Sequence, residues 1–368
     1  MKFLQRQMGL KVSLIVLSVF LGCDDESDTK PLPEVPMDTF WEVSAPADQQ
    51  MDPKVLEDLR AEVRDMPNVY SLLIVRNGKI VHEQYHGGAS MTSLLHLRSI
   101  TKRITALLVG IGIDEGYIEG YEEPLTNFFP EITNATGEGW DGVNLYHLLH
   151  MISGMDWYET DDFADYEKHL SEPLSYIFNR DIVHEPGTYF AYNTPGIDLL
   201  SIVIERAFGE KLKKIAEEKL FEPLGILGYD WQEISNGVAR GGAGLALTAR
   251  DLAKVGLLHL QRGHWKSTQL VNDGWIGLCF EDALSFDGIG GDHAIYTSIG
   301  NTWWTREFVG VTLHYADGYG GQMLMLIPEH DIIIVMNRNY DVSGAETQQA
   351  FGEFFNTVLP GVLDSVLD

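Results

Sequence analysis

Ser99 and Lys102 lie three residues apart, just before a long apolar stretch that runs from Ile104 to Ile113. Residues three apart share one face of a helix, so the Lys102 amine can reach the Ser99 hydroxyl. A serine hydroxyl needs a base to attack a carbonyl carbon, and lysine serves when burial lowers its pKa from about 10.4 toward roughly 7 to 8. The pair therefore predicts nucleophilic catalysis through an acyl intermediate. The alternative is an ordinary helix that Ser99 caps, since this spacing also occurs by chance.

The segment that carries the pair is predicted to be a buried helix from Ile100 to Asp114. Its apolar residues recur with a period of 3.6, and Gly116 can take the left-handed position that ends a helix. Free backbone N–H groups and the positive end of the helix dipole would lie beside Ser99. That environment favours the negative charge of an oxyanion.

Two further segments present polar groups just before regular structure. Tyr192 follows Pro186 and Gly187 and precedes an apolar helix predicted from Leu199 to Phe208, so its hydroxyl is a candidate proton relay. The run from Asp317 to Gln322 contains three glycines before a predicted strand, where a substrate can approach the backbone closely. We expect the backbone N–H groups of Ser99 and Gln322 to form the oxyanion hole.

Aromatic residues are candidates for the walls of the pocket. The acidic, aromatic run from Trp157 to Tyr166 is predicted to be a loop that borders a cleft, the alternative being a solvated loop with a few anchoring rings. Trp157, Trp303 and Tyr319 are predicted to contact substrate, although aromatic residues beside strands are more often part of a core.

Other reactive residue types lead to no site. His82 and His86 match the His-Glu-x-x-His zinc pattern, but they fall on a predicted strand, where residues four apart are roughly 13 Å from each other. Ser153 lacks a base at a helical offset and is predicted to shape a turn. Cys279 has apolar neighbours and is predicted to be a buried thiol. Neither a metal nor an organic cofactor is indicated.

The first residues predict export. Basic residues precede a short apolar run, which is typical of a signal peptide at residues 1–22, and Leu21-Gly22-Cys23 resembles the lipobox of bacterial lipoproteins. The alternative is an ordinary secretory peptide with an incidental cysteine. We expect lipidation of Cys23, a flexible tether over residues 23–48, a catalytic domain over 49–364, and a location at a periplasm-facing membrane or the cell surface. The net charge of -28 argues against nucleic acid as a partner.

The remaining pattern predicts an α+β fold. Asn77-Gly78 between apolar strands marks an early hairpin, and further strands follow residue 295, one of them predicted from Ser298 to Trp304. The predicted architecture is a central antiparallel sheet, made of segments 68–90 and 295–360 and flanked by helices, with a helical lobe of about 100–285 inserted between them.

Taken in order, Ser99-x-x-Lys102, Tyr192-Asn193-Thr194 and Tyr319-Gly320-Gly321 resemble the motifs of the serine beta-lactamase and penicillin-binding-protein superfamily, in its class C-like branch. The resemblance implies the beta-lactamase/transpeptidase fold, with Ser99 as nucleophile, Lys102 as its base and Tyr192 as the motif tyrosine. It places Thr194, Tyr319, Gly321 and Gln322 around the substrate.

The sequence departs from class C lactamases at two of these positions. Thr194 replaces an asparagine that helps to hold a substrate amide, and Tyr319 replaces a lysine or histidine that helps to bind a carboxylate. These versions of the motifs are similar to those of 6-aminohexanoate-dimer hydrolases and esterases. The expected partner is therefore a small ester or amide substrate. A true beta-lactamase or D-Ala carboxypeptidase, and a non-catalytic sensor lipoprotein, remain the alternatives.

Overall fold

The computed structural model describes residues 32–291 and 296–367, so the predictions for the signal segment and Cys23 lie outside the described residues. The strands are β1 Val69–Arg76, β2 Lys79–Tyr85, β3 Leu95–His96, β4 Tyr189–Phe190, β5 Asp230–Trp231, β6 Leu245–Leu247, β7 His264–Trp265, β8 Thr268–Gln269, β9 Leu284–Ser285, β10 Gly290–Gly291, β11 Ser298–Gly300, β12 Trp303–Phe308, β13 Val311–Gly318, β14 Gln322–Ile327 and β15 Ile332–Arg338. The helices are α1 Pro53–Arg64, α2 Thr101–Asp114, α3 Leu145–Leu149, α4 Glu159–Tyr166, α5 Pro173–Phe178, α6 Thr194–Phe208, α7 Leu212–Ala216, α8 Glu222–Leu224, α9 Ala249–Leu260, α10 Asp273–Cys279, α11 Gly344–Glu353 and α12 Leu359–Asp364.

In the described residues, one sheet of eight strands runs in the order β2-β1-β15-β14-β13-β12-β11-β9. Every neighbouring pair is antiparallel, and β1 joins the early hairpin to the end of the chain by pairing with β15, where Leu72 lies opposite Met336. All residues of β14 and β15 are buried. The predicted central sheet, built from the early hairpin and the late strands, is confirmed.

Helices cover both faces of this sheet. On one face α9 packs so closely that a Cβ added at Gly256 would lie 2.9 Å from Cγ2 of Ile333. Successive strand residues point to opposite faces, so Arg338 of the same strand lies on the other side. There its Nη1 donates to Oε2 of Glu353 in α11 at 2.7 Å. This arrangement of helices around an antiparallel sheet is the predicted α+β fold.

The segment between β2 and β9 forms the helical lobe, and α2 is its central element. All twelve residues from Thr101 to Gly112 are buried, and α6 packs against them. Gly110 lets α10 approach, because a Cβ at that position would lie 2.5 Å from ring atoms of Trp275. The helix that follows Ser99 is therefore held rigidly on all sides.

Two predicted elements differ in the structure. The run predicted as a loop contains α4, whose buried residues Glu159, Phe163 and Tyr166 have the spacing of one helical face. The strand predicted from Ser298 to Trp304 is the β11–β12 hairpin instead. Its two turn residues have left-handed backbones, with φ of 44° and 76°, which suits the twist of a two-residue hairpin loop.

The described part of the predicted tether, residues 32–48, packs on the domain. The backbone of this segment bonds to Ile80 on the outer edge of β2, with Ser44 N to Ile80 O and Ile80 N to Glu42 O both at 2.9 Å. Trp41 is buried, and its Nε1 donates to the Arg250 carbonyl at 3.0 Å. A flexible tether therefore does not describe these residues, because a buried ring and paired backbone groups fix them.

We predict that Gly110→Ala destabilises the protein, although alanine favours helix by about 1 kcal/mol over glycine. The added methyl would overlap the Trp275 ring, and overpacking of this kind costs roughly 1 to 3 kcal/mol. The free energy of unfolding in urea should fall by about 1 kcal/mol. Gly352→Ala is the control, because its Cβ would meet nothing closer than 3.9 Å and should stabilise α11 slightly. Equal stabilisation by both changes would contradict the close packing at Gly110.

Candidate functional site

Ser99 lies in a 3-10 turn, Arg98–Ile100, that leads directly into α2. The turn is fixed from both sides: Leu97 N donates to Leu245 O at 2.9 Å, and the Thr101 hydroxyl donates to Arg98 O at 2.7 Å. Arg98 has a left-handed backbone with φ of 51°, which is unfavourable for a residue with a Cβ. The surrounding bonds hold this conformation, and it presents Ser99 to a cleft.

The Lys102 amine lies beneath Ser99 and contacts three oxygen atoms. Its Nζ is 3.2 Å from Ser99 Oγ, 3.1 Å from Thr194 Oγ1 and 2.7 Å from Gly242 O. The side chain has no exposed surface. Lysine has three donors when charged, so all of them are used.

Thr194 connects this amine to a buried carboxylate. Asn193 caps α6 through its side chain and places Thr194 at the first helical position. The Thr194 hydroxyl donates to Oε1 of Glu159, and its backbone N donates to Oε2 at 3.1 Å. Trp157 Nε1 also donates to Oε2, at 2.7 Å. The carboxylate therefore acts on Lys102 through the threonine hydroxyl.

The titration of Lys102 is set by burial and by charges of both signs. Burial lowers its pKa from 10.5 to about 7, and it does so against the carboxylates of Glu159 and Asp198, which raise it. The guanidinium groups of Arg103 and Arg240 lower it further. Burial also raises the pKa of Glu159. An amine with a pKa near 7 can exchange a proton with a substrate at neutral pH.

Asp198, on α6, fixes the carbonyl that receives the Lys102 amine. Its Oδ1 accepts from Gly242 N at 2.7 Å, and its Oδ2 accepts from the Tyr166 hydroxyl at 2.9 Å and from Arg240 Nε at 3.3 Å. A Cβ at Gly242 would lie 2.7 Å from Thr194 Cγ2, so this segment must pass close to α6. The glycine turn thus serves to bring a backbone carbonyl to Lys102.

Tyr192 completes the group around Ser99. Its ring centroid lies 5.0 Å from Lys102 Nζ. Burial, followed by the charges of Asp317 and Glu159, raises the pKa of Tyr192, while a hydrogen bond with Ser99 lowers it. The net effect is a phenol that stays protonated at neutral pH and can act as a proton donor.

Arg103 places a positive charge beside these groups without a hydrogen bond to a carboxylate in the described residues. The side chain is buried, and its three guanidinium nitrogens have no hydrogen-bond partner within residues 32–291 and 296–367. Its charge acts on Tyr192, Asp317 and Tyr296, and the Trp303 ring lies 5.9 Å away. Burial of an unpaired charge is costly, so this cation must be retained against a stability cost.

The cleft above Ser99 brings together four of the residues predicted for the site. Ser99, Tyr192, Thr194 and Tyr319 line it, and Lys102 lies directly below. The remaining lining residues come from the turn that carries Ser99, from α4, from the glycine turn before β6, from the segment before β11, from β12–β13 and from α11: Arg98, Glu159, Phe163, Ala243, Tyr296, Trp304, Asp317, Gly318, Gly344, Thr347, Gln348 and Phe351.

Other predicted site residues lie elsewhere. Trp303 is buried and donates through Nε1 to His259 Nε2 at 3.1 Å, while its neighbour Trp304 faces the cleft, because adjacent strand residues point to opposite sides. Trp157 supports Glu159 from behind. Gly321 packs against α11, where a Cβ would lie 2.6 Å from Ala350. Gln322 is buried between strands, with its amide bonded to the backbone of Arg338.

Several cleft residues had no recognisable signal in the sequence. Glu159 belongs to an acidic run whose other members are solvated, and only the spacing to Phe163 and Tyr166 marks the buried face. Asp317 is the first residue of the predicted glycine segment, where the pattern predicts no role for its side chain, and its Oδ1 accepts from Trp304 Nε1 at 2.8 Å. Burial raises the pKa of Asp317. Its position beside Ser99 depends on strand pairing that local pattern does not specify.

His82 and His86 lie on and just after β2, as expected for strand residues, and neither joins a metal-binding group. Across the described ranges, no three His, Cys, Asp or Glu side chains gather closely enough to hold a metal ion. Cys279 is a free, buried thiol, as predicted. The helices that the structure describes are all too short or too polar to cross a membrane.

Comparison with known proteins extends these observations. The family model described as Beta-lactamase matches residues 56–352. The 6-aminohexanoate-dimer hydrolase of Paenarthrobacter ureafaciens is 26% identical over 298 residues, which cover 72% of this chain and 71% of that protein. Esterase EstB of Burkholderia gladioli is 25% identical over 178 residues, covering 42% of this chain and 44% of the esterase.

A solved structure from Bacillus anthracis, provisionally assigned as a 6-aminohexanoate-dimer hydrolase, supports the same fold. It matches with a TM-score of 0.72 and 18% identity over 90% of this chain and 91% of its own. The resemblance read from the three motifs is therefore confirmed. Since the family model spans the sheet, the helical lobe and the group around Ser99, the chain belongs to the beta-lactamase family, and its curated relatives are hydrolases.

Proposed function

We propose that this protein is an exported serine hydrolase that cleaves an ester or amide bond through an acyl intermediate on Ser99. The observation that carries this proposal is the position of the buried Lys102 amine, 3.2 Å from the Ser99 hydroxyl, with a pKa of about 7. A lysine in that state can take the serine proton at neutral pH. The hydrolase relatives support the same chemistry.

The contacts of Lys102 orient its lone pair. Gly242 O can only accept, and the Thr194 hydroxyl donates its proton to Glu159, so both oxygens accept N–H bonds from Lys102. A neutral amine has two N–H groups, and these two acceptors use both. The remaining position, its lone pair, points to Ser99 Oγ. Thr194 and Glu159 are thus positioning residues in this proposal.

Two backbone N–H groups are available for the oxyanion. Neither Ser99 N nor Tyr319 N donates a hydrogen bond to another described residue, and both residues line the cleft. Gly318 lies against the segment that leads into the Ser99 turn, since a Cβ at Gly318 would be 2.5 Å from Leu97 O. We therefore assign the second donor to Tyr319 in place of Gln322. Each such donor contributes about 10² to 10³ in rate in enzymes where it has been removed.

The reaction then balances within this group of residues. Ser99 Oγ attacks the carbonyl carbon while its proton passes to Lys102, and the leaving group takes a proton from the Tyr192 hydroxyl. The Lys102 ammonium restores the Tyr192 proton, which leaves an acyl group on Ser99. Water then attacks the acyl carbon, its proton passes to the same residues, and Ser99 leaves as the free hydroxyl.

The substrate is proposed to be a small ester or amide, by analogy with relatives that include a 6-aminohexanoate-dimer hydrolase and an esterase. Tyr319 is half-buried, and its hydroxyl donates to Val342 O at 2.7 Å. This residue therefore contributes its aromatic ring to the cleft, while its hydroxyl proton is already used in a hydrogen bond. We also propose that the chain is lipidated at Cys23 and held at a membrane, on the strength of the sequence pattern that precedes the described residues.

We predict that a soluble form beginning at residue 32 gains one adduct mass with a fluorophosphonate, and that Ser99→Ala gains none. It should hydrolyse p-nitrophenyl butyrate, and Ser99→Ala should lose at least about 10³ in kcat/KM because the nucleophile is gone. Ser153→Ala is the control, since Ser153 is a buried serine that lies outside the cleft. Intact mass and absorbance measure these outcomes.

Penicillin in the same experiment separates the alternatives. A stable Ser99-dependent penicilloyl adduct would favour a penicillin-binding protein, and rapid turnover of penicillin would favour a beta-lactamase. A chain that reacts with none of the three probes would be the sensor, and the proposed hydrolase would then be excluded.

Two neighbouring charges should shift the pH dependence in opposite directions. Lys102 acts as a base only when neutral, and Glu159 raises its pKa while Arg103 lowers it. Glu159→Gln should therefore move the acidic limb of kcat/KM to lower pH, and Arg103→Met should move it to higher pH, each by roughly one unit. Glu131→Gln, an exposed change at the ion pair with Arg206, should leave the limb in place. Shifts of the same sign would show that Lys102 is not the titrating base.

Lipidation has a direct test because the chain has two cysteines, Cys23 and Cys279. We predict that the full chain, expressed in bacteria with an alkyne analogue of palmitate, carries the label and sediments with membranes. Cys23→Ala should lose both properties, whereas Cys279→Ala should keep them, since that thiol is buried. Label that persists in Cys23→Ala would contradict the proposed anchor.

A further inference from the structure

The guanidinium of Arg98 has no acidic partner in the cleft that it borders. Within residues 32–291 and 296–367 it forms no ion pair and donates no hydrogen bond; it lies over two aromatic rings, and the charge of Glu167 acts on it from outside the cleft lining. The chain has 54 acidic and 26 basic residues, so acidic partners are abundant. Some buried or half-buried arginines elsewhere do find them, as Arg180 does with Asp162 and Arg338 with Glu353, whereas the buried Arg103 does not. Arg98 is therefore a cation left open at the site.

The two rings hold this guanidinium in place. Its Cζ lies 5.1 Å from the centroid of Tyr340 and 6.0 Å from that of Tyr319. A guanidinium stacked on aromatic faces keeps its plane fixed while the N–H groups at its edge stay free. Those edge groups have the geometry that binds a carboxylate with two parallel hydrogen bonds.

Arg98 also stands beside the reacting atoms, since it is the residue before Ser99 and lines the same cleft. The hydrogen bond from the Thr101 hydroxyl to Arg98 O fixes its left-handed conformation, so the side chain leaves the loop in a defined direction. The start of α11 lines this cleft as well, through Gly344, Thr347 and Gln348.

The acidic residues of the cleft are already engaged. Glu159 accepts from Trp157 and Thr194, and Asp317 accepts from Trp304. Neither reaches Arg98 closely enough to form an ion pair. Among the charged side chains that line this cleft in the described residues, Arg98 thus lacks a hydrogen-bonded counterpart; Arg103, which also lacks one, is buried outside the cleft lining.

We propose that Arg98 binds a carboxylate of the substrate, so that the preferred esters or amides carry an anionic group near the scissile bond. This inference rests on the proposed hydrolysis at Ser99. In this proposal Arg98 selects the substrate, and the rings of Tyr340 and Tyr319 hold its guanidinium in position.

Matched ester pairs test the proposal. One pair places the charge on the acyl side: mono-p-nitrophenyl adipate and its methyl ester. The other places it on the leaving group: 4-carboxyphenyl butyrate and 4-(methoxycarbonyl)phenyl butyrate. In at least one pair the anionic member should have the higher kcat/KM. Arg98→Gln should reduce that ratio by about 10-fold to 100-fold, as expected for loss of a hydrogen bond between charged groups. Arg98→Lys should retain part of it, since lysine keeps the charge without the planar fork.

Arg306→Gln is the matched control. Arg306 also stacks on two rings, Phe355 at 5.1 Å and Phe308 at 5.9 Å, but it lies outside the cleft, so its loss should leave both ratios unchanged. Ser99-dependent turnover with no anionic preference, or with a ratio that Arg98→Gln does not change, would overturn the role of Arg98 alone. Preference for p-nitrophenyl 6-aminohexanoate, which carries an amine, over both adipate esters would also overturn the role of Arg98. It would indicate that the acidic residues of the cleft select the substrate. Absence of all turnover would instead refute the hydrolase itself.

Discussion

The burial of one amine governs the arrangement of this site. Lys102 has no exposed surface, and a charged amine without water is stable only where oxygen atoms surround it. Each of its three oxygen partners comes from a different element: the loop before α2, the start of α6, and the glycine turn before β6. The helical lobe must bring these three elements to one point. The same burial that demands the contacts also lowers the pKa of Lys102 toward neutrality.

A second layer of charges supports those contacts. Asp198 fixes the glycine turn and Glu159 fixes Thr194, so both partners of the Lys102 N–H groups are tied to carboxylates. Arg240 and Arg103 oppose the effect of those carboxylates on the amine. Two sets of effects on Lys102 therefore oppose each other. The negative charges favour the protonated amine, whereas burial and the positive charges favour the neutral amine. This balance explains why a guanidinium is buried at Arg103, because an unpaired buried charge otherwise lowers the stability of the fold.

The sequence predicts the elements whose signals are local. The hairpin around Asn77-Gly78 and the helix after Ser99 follow from turn residues and periodicity, and the structure has both of them. Contacts that join distant segments do not follow in this way. Nothing local indicates that Trp304 and not Trp303 faces the cleft, because a shift of one residue in register reverses a strand.

The same limit explains the role of Thr194 and the position of Glu159. The motif predicts Thr194 near the substrate, but its hydroxyl lies between Lys102 and Glu159 only because α4 packs beside the start of α6. Tertiary packing therefore determines which acidic residue of the run at residues 156–167 lies in the site. Spacing and local pattern supplied Ser99, Lys102 and Tyr192 as candidates, and the family resemblance assigned their roles. The charges that surround them could be located only in the folded chain.

The segment at residues 42–44 has a consequence for how the domain behaves beside copies of itself. β2 is the outermost strand of the sheet, and such an edge offers a row of free N–H and C=O groups to any other extended chain. Here the backbone of the segment pairs with Ile80, and the buried Trp41 ring fastens it to α9. The protein thus covers its own sheet edge at Ile80 with a strap from its N-terminal side. A shortened chain beginning at residue 49 would lose that strap and present an open, apolar-backed strand through which molecules can associate edge to edge.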